Sequence, residues 1–293
     1  MMSNLKRRIF RRRMVIGLVA AASIAGAMPG AGALASGPLN YAALGDSYSS
    51  GAGNLPLDPT APPSCLRSTV NYANDITRAI GANLTDVTCG GATTGNFSTP
   101  QGIGIASQLD AVTSSTQLVT MTIGGNDGNV FADMMDGCAA ASLTTLGQGN
   151  PCEQKYGSTF TDTITNTTYP AIVNALREVK AKAPHARIAI LGYPWIAPAV
   201  GGCYPALPFA AGDVPYTRSV QATLNDAIGR AAKAAGATYV DMNGVSNGHD
   251  ACEAPGVRWV EPLVTTNSAA LGHPNALGES EMAARVRDVL NLP

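Results

Sequence analysis

Three clusters of small and polar residues in this 293-residue chain contain groups able to donate or accept protons. They are Gly45-Asp46-Ser47-Tyr48-Ser49-Ser50-Gly51, Cys89-Gly90-Gly91-Ala92-Thr93-Thr94-Gly95 and Gly124-Gly125-Asn126-Asp127. Singly, each could be an ordinary turn, because Gly, Ser, Asn and Asp dominate turns. Each, however, follows a short apolar run, and three in succession ask for more than turns. Ser47 offers a hydroxyl, a weak nucleophile unless a base removes its proton as it attacks. Histidine does this near neutral pH, and the chain has three: His185, His249 and His273. Gly91 lacks a side chain, so its backbone can come close to a bound anion. A second serine stands in Gly244-Val245-Ser246-Asn247-Gly248, a literal G-x-S-x-G. That motif needs a strand before the serine and a helix after it. The run from Gly248 to Gly256 does not read as a helix, so Ser246 is set aside.

The elements that must position these groups follow from periodicity and punctuation. Strands are expected at 39–44, 84–88, 117–123, 188–191 and 238–242, each a short apolar run ending at turn residues. Helices are expected at 69–80, capped by Ser68 and stopped by Gly81, and at 108–112, 163–182, 217–235 and 275–290. Pro170 either kinks the third of these or marks its real start. Residues 131–156 carry two cysteines and little periodicity, and read as a stapled insertion. A Pro- and Gly-rich loop from Tyr193 to Pro215 has the composition of a lid. Alternating strands and helices predict one α/β domain with a parallel sheet covered on both faces. In such sheets function gathers at the carboxyl ends of the strands, where the three clusters fall.

The N-terminus reads as an export signal. Lys6, Arg7, Arg8, Arg11, Arg12 and Arg13 precede an apolar stretch, Met14 to Met28, and an A-x-A-like site at Ala33-Leu34-Ala35. Gly26 and Pro29 interrupt the stretch, which is shorter than the roughly 20 residues of a spanning helix. A signal peptide is therefore expected at 1–35, with Arg12-Arg13 also allowing twin-arginine export, and a single domain at 36–293. The leader takes six of the 19 Lys+Arg and none of the 20 Asp+Glu, leaving a net charge of −7. That surface argues against nucleic acid as a partner, and permits at most transient contact with lipid. Cys65, Cys89, Cys138, Cys152, Cys203 and Cys252 all lie in the mature part. An even count in an exported chain predicts three disulfides, and pairing neighbours (65–89, 138–152, 203–252) is the simplest arrangement. No metal or cofactor is implied, and a monomer is expected.

The polar clusters resemble the blocks of the SGNH (GDSL-type) hydrolases, and among them the secreted lipases and esterases of actinobacteria. Leu44-Gly45-Asp46-Ser47-Tyr48-Ser49-Ser50-Gly51 matches the nucleophile block, Gly90-Gly91-Ala92-Thr93-Thr94 the second and Gly124-Gly125-Asn126-Asp127 the third. Gly272-His273-Pro274-Asn275 with Gly278 matches the last. The blocks come in the family's order and span nearly the whole mature chain. The resemblance implies a flavodoxin-like three-layer α/β/α sandwich with a central parallel sheet. It implies Ser47 as nucleophile, His273 as general base, and an oxyanion hole from the Ser47 and Gly91 N–H groups and the Asn126 amide. Asp46 is expected to brace its loop rather than take part in the chemistry. The family usually has an Asp three residues before the histidine; here that residue is Ala270. Some secreted members of the family use a main-chain carbonyl there instead, so the resemblance implies that the Ala270 carbonyl orients the imidazole, giving a Ser–His dyad.

The implied function is carboxylic ester hydrolysis through an acyl-enzyme, on a lipid or small-molecule ester. The alternatives are a carbohydrate O-acetyl esterase and a non-catalytic binding domain on the same fold. Tyr193, Trp195, Tyr204, Phe209 and Trp259 are the candidates to line a pocket or, equally, to pack the loops. His185 reads as a surface residue in a helix-to-strand turn. His249, beside Cys252, reads as structural.

Overall fold

The computed structural model describes residues 37–264 and 269–293. The expected signal peptide lies outside the described residues. Five short strands, β1 (Asn40–Ala43), β2 (Asn83–Asp86), β3 (Leu118–Met121), β4 (Arg187–Leu191) and β5 (Thr238–Val240), form one sheet. Its order is β2-β1-β3-β4-β5 and every pair is parallel. Backbone bonds continue past the ladder: Leu44 N–H donates to Thr120 O and Asp46 N–H to Thr122 O, each at 3.0 Å. The residue before Ser47 is thus tied directly to the strand that leads to Asn126.

The eight helices named here are α1 (Ser47–Ser50), α2 (Tyr72–Ile80), α3 (Val130–Leu143), α4 (Pro151–Tyr156), α5 (Thr159–Thr163), α6 (Tyr169–Lys182), α7 (Val214–Ala235) and α8 (Ala276–Leu290). Strand side chains alternate between two cores, as the two-residue period requires. Tyr41, Ala43, Leu118, Ala189, Leu191 and Val240 pack with α2 and α8. Ala42, Leu44, Val119, Met121, Ile188 and Ile190 pack with α3, α6 and α7. Helices on both faces of a parallel sheet make the three-layer α/β/α fold.

Local structure departs from expectation in two places, and at a third Pro170 marks the real start of its helix. The cap of α2 is Asn71, whose side chain accepts from Asn74 N–H. Ser68 instead closes its own turn by accepting from Val70 N–H. Much of the expected irregular insertion is helical, as α3 and α4 joined by the Cys138–Cys152 disulfide. Gly137-Cys138-Ala139-Ala140-Ala141 marks no face clearly, which hid α3. Pro170 sits in the first turn of α6, and a π-helical turn at Ile164–Thr168 accommodates its missing N–H just upstream. The other two disulfides join Cys65 to Cys89 and Cys203 to Cys252.

Candidate active site

The sheet order reverses direction between β1 and β3, and crevices form at such switch points. Ser47 begins α1 immediately beyond β1, and Asn126 lies just beyond β3. Asp46 caps α1 and is 1% exposed. Its carboxylate accepts from Tyr48 N–H, Thr122 Oγ1–H (2.7 Å) and the Tyr193 hydroxyl. The Tyr193 hydroxyl also accepts from Gly125 N–H at 2.9 Å. One buried carboxylate therefore joins the ends of β1, β3 and β4. Burial outweighs these bonds and pushes its pKa up to about 6.

His273 arrives from far along the chain, 226 residues after Ser47, with its Nε2 2.7 Å from Ser47 Oγ. Its Nδ1 is 2.7 Å from the carbonyl oxygen of Leu271. A carbonyl only accepts, so Nδ1 carries the proton and Nε2 presents its lone pair to the serine hydroxyl. Burial lowers the imidazole pKa, partly offset by the Leu271 bond. The ring that faces Ser47 is accordingly neutral at neutral pH.

The orienting carbonyl corrects the sequence reading, which assigned it to Ala270. Ala270 O instead accepts His273 N–H at 3.2 Å, closing a four-residue turn. Gly272, at φ +70°, occupies the third position, which in a type II turn requires positive φ. That turn commits the carbonyl of Ala270 to the backbone and leaves the next one, Leu271 O, facing the ring. The glycine directly before the histidine was the available signal.

The segment after Ser47 grips this turn from below. Tyr48 hydroxyl donates to Gly272 O at 2.6 Å, Ala270 N–H to Ala52 O at 2.9 Å, and Asn54 Nδ2–H to Pro274 O at 2.9 Å. The Tyr48 ring lies 5.1 Å from the imidazole and that of Phe131 5.5 Å from it. Tyr48, Phe131 and Tyr193 were not singled out together by sequence reasoning, because they come from three separate elements.

Beside this pair the other two clusters converge. The side-chain amide of Asn126 donates to Ala92 O at 3.0 Å, and the amide has a second N–H beyond that bond. Neither Ser47 N–H nor Gly91 N–H donates to a backbone or side-chain acceptor among the described residues. Asp127 ties the second and third clusters by accepting from Thr94 N–H at 3.1 Å and from the Thr94 hydroxyl. An apolar pocket opens next to Tyr48 and Gly125, walled by Val130, Phe131, Met134 and Tyr193.

The remaining candidates lie apart from this arrangement. Trp195 packs under the Arg218 guanidinium, 3.8 Å from the ring centroid, and donates its indole N–H to Asn243 O. Trp259 stacks on His249 with ring centroids 4.4 Å apart. Phe209 is buried in the core, and Tyr204 is largely at the surface. His185 is exposed in its turn. Ser246 is fully buried.

A parallel β2-β1-β3-β4-β5 sheet with a serine–histidine pair at its switch point defines the three-layer fold of the SGNH hydrolases. The chain matches the model of the GDSL-like lipase/acylhydrolase family over residues 43–280 and belongs to that family; it is an ester hydrolase. It is 56% identical over 256 residues to Lipase 2 of Streptomyces coelicolor, covering 87% of this chain and 86% of that one. The crystal structure of phospholipase A1 from Streptomyces albidoflavus superposes with a TM-score of 0.71 at 29% identity, over 87% of this chain and 99% of that one. The extracellular lipase of Streptomyces rimosus gives a TM-score of 0.71 at 30% identity, over 86% and 98%.

Proposed function

We propose that the protein is an exported lipase-type carboxylic ester hydrolase working through a Ser47–His273 dyad and an acyl-enzyme. Ser47 Oγ attacks the ester carbonyl while His273 Nε2 takes its proton. Negative charge then grows on the carbonyl oxygen, where the Ser47 and Gly91 N–H groups and the Asn126 amide are the donors. Collapse of the tetrahedral adduct breaks the bond to the alcohol oxygen, which leaves with the proton from His273. Water then attacks the acyl-enzyme, giving up a proton to the same nitrogen, and the carboxylic acid is released as Ser47 regains its hydrogen. The observation that carries this reading is the 2.7 Å contact from His273 Nε2 to Ser47 Oγ, with Nδ1 occupied by Leu271 O.

Val130, Phe131 and Met134 give the pocket beside Gly125 apolar walls, which supports an alkyl acyl chain and counts against the carbohydrate esterase alternative. Trp195 and Trp259 are engaged in packing, so neither offers a free face for a sugar to stack on. The names of the Streptomyces relatives, lipase and phospholipase A1, agree with a lipid ester. Export rests on the basic and apolar leader, residues 1–35, together with the three disulfides. The test is hydrolysis of nitrophenyl esters from acetyl to palmitoyl by the mature chain, with Ser47→Ala alongside. Activity peaking at medium or long chains and absent in the variant is expected. A peak at acetyl would favour the sugar-esterase reading, and full activity in the variant would remove Ser47 from the chemistry.

A further inference from the structure

Beneath the oxyanion donors proposed above, one side chain controls a peptide group that the backbone leaves free to turn. A peptide unit is planar, so the carbonyl of Gly90 and the N–H of Gly91 point in opposite directions and rotate together. Both flanking residues are glycine, and Gly91 sits at φ +74°. Glycine adopts positive and negative φ about equally readily. Rotating this unit by half a turn therefore meets little steric resistance, and would aim the Gly90 oxygen where the Gly91 N–H now points.

The neighbouring backbone is well held. Cys89 N–H donates to Gly45 O at 3.1 Å, Gly90 N–H to Cys65 O at 2.9 Å, and Ala92 N–H to Cys89 O at 3.2 Å. Ala92 O accepts from Asn126, and the Cys65–Cys89 disulfide closes the base. The Gly90–Gly91 unit itself has a single tether among the described residues: Gln101 Nε2 donates to Gly90 O at 2.7 Å. Gln101 is fixed in turn by its own N–H, bonded to Ile105 O at 3.2 Å. Its amide oxygen is buried without a partner. An unpaired buried acceptor is costly, yet exchanging the two ends of the amide would set that oxygen against Gly90 O. The amide is thus oriented by the bond to Gly90.

We propose that Gln101 is a positioning residue of this enzyme, locking the Gly90–Gly91 peptide so that Gly91 N–H faces the developing oxyanion. The proposal rests on the role given to Gly91 above. Without the lock, the peptide divides between two orientations, and the flipped one presents an oxygen to a growing negative charge. Substrate binding before the charge develops is affected far less.

The test compares Gln101→Met, which keeps the length but not the donor, with Gln101→Lys, which restores one. Turnover is measured on a nitrophenyl ester, per site counted by active-site titration. Removing an oxyanion donor outright lowers kcat by about 10²- to 10³-fold, so losing its support should lower kcat by about 10- to 100-fold in Gln101→Met. KM and melting temperature should stay near wild type. Inhibition by an alkyl boronic acid, whose tetrahedral adduct uses the same donors, should weaken by a similar factor, and Gln101→Lys should recover part of both. Unchanged kcat and boronate affinity in Gln101→Met would overturn the proposal, as would losses that merely track the melting temperature. Ser47→Ala in the same series separates the two readings. Retained activity there defeats the dyad itself, whereas lost activity there with a silent Gln101→Met defeats only the lock.

Discussion

Among the described residues two serine–histidine pairs lie beyond strand ends, and their surroundings set them apart. Ser246 and His249 are near in sequence and share a backbone turn, His249 N–H donating to Ser246 O at 3.1 Å. The Ser246 hydroxyl is spent: it donates to Met242 O at 2.7 Å and accepts from Trp195 N–H at 3.1 Å. His249 holds Val257 O with its Nδ1 and lies flat on Trp259. Ser47 and His273 are 226 residues apart, yet their side chains meet at 2.7 Å. Both histidines carry the same kind of Nδ1 anchor, a main-chain carbonyl at 2.7 Å. The difference is the far nitrogen, which at His273 faces a hydroxyl for which no other acceptor competes among the described residues. A motif supplies residue types, but an unspent hydroxyl opposite an anchored imidazole is what makes a nucleophile.

The sharpest way to break this comparison is to delete each hydroxyl. Ser47→Ala should lower kcat by about 10⁶-fold, the scale seen when a serine hydrolase loses its nucleophile. Asn126→Ala should lower kcat by about 10²- to 10³-fold with a smaller effect on KM. Both are read on a nitrophenyl ester under steady-state conditions. An Asn126 variant within twofold of wild type would remove that amide from the oxyanion site.

Asp46 sharpens the contrast through stability. Its folded pKa, about 6, lies above the ordinary carboxylate value of 3.8, so the folded protein keeps this proton where the unfolded chain releases it. Its contribution is therefore fully present below about pH 4 and is lost as pH rises through about 6. The change amounts to about 3 kcal/mol at 1.36 kcal/mol per pKa unit. Urea unfolding of wild type and Asp46→Asn across this window should show the slope in the first and its loss in the second.

Ser246→Ala should leave turnover near wild type but strand the buried Trp195 N–H, costing about 1–3 kcal/mol in unfolding. A drop in kcat without loss of stability would move Ser246 into the chemistry. The smallest expected effect is on pH dependence. The base must be neutral to accept a proton, and burial lowers the His273 pKa. The acid limb of kcat/KM should therefore fall below the ordinary histidine value of about 6.5. A limb at or above that value would show that the imidazole is not desolvated as described.

Much of this is legible in the sequence. Strands bounded by glycine-rich clusters announced a parallel sheet, and its carboxyl edge gathered the residues later found together. Ile172, Leu176 and Val179, spaced four and three residues apart, share one face of α6, and all are buried. What stayed hidden depended on local geometry or on distant contacts. The anchor of His273 turns on one residue, because a turn through Gly272 uses up the carbonyl of Ala270 and offers that of Leu271. The pocket walls were hidden for another reason. Tyr48, Phe131 and Tyr193 follow different strands and meet only when the sheet is assembled. Of the five loop aromatics considered from sequence, only Tyr193 lines that pocket.

The most direct test of the central claim is covalent labelling of the mature chain with diethyl nitrophenyl phosphate, followed by proteolysis and mass spectrometry. The account predicts one diethylphosphoryl group per chain, on Ser47, with labelling slowed strongly in His273→Ala and unaffected in His249→Gln. A label on Ser246, or equal labelling rates in wild type and His273→Ala, would contradict it.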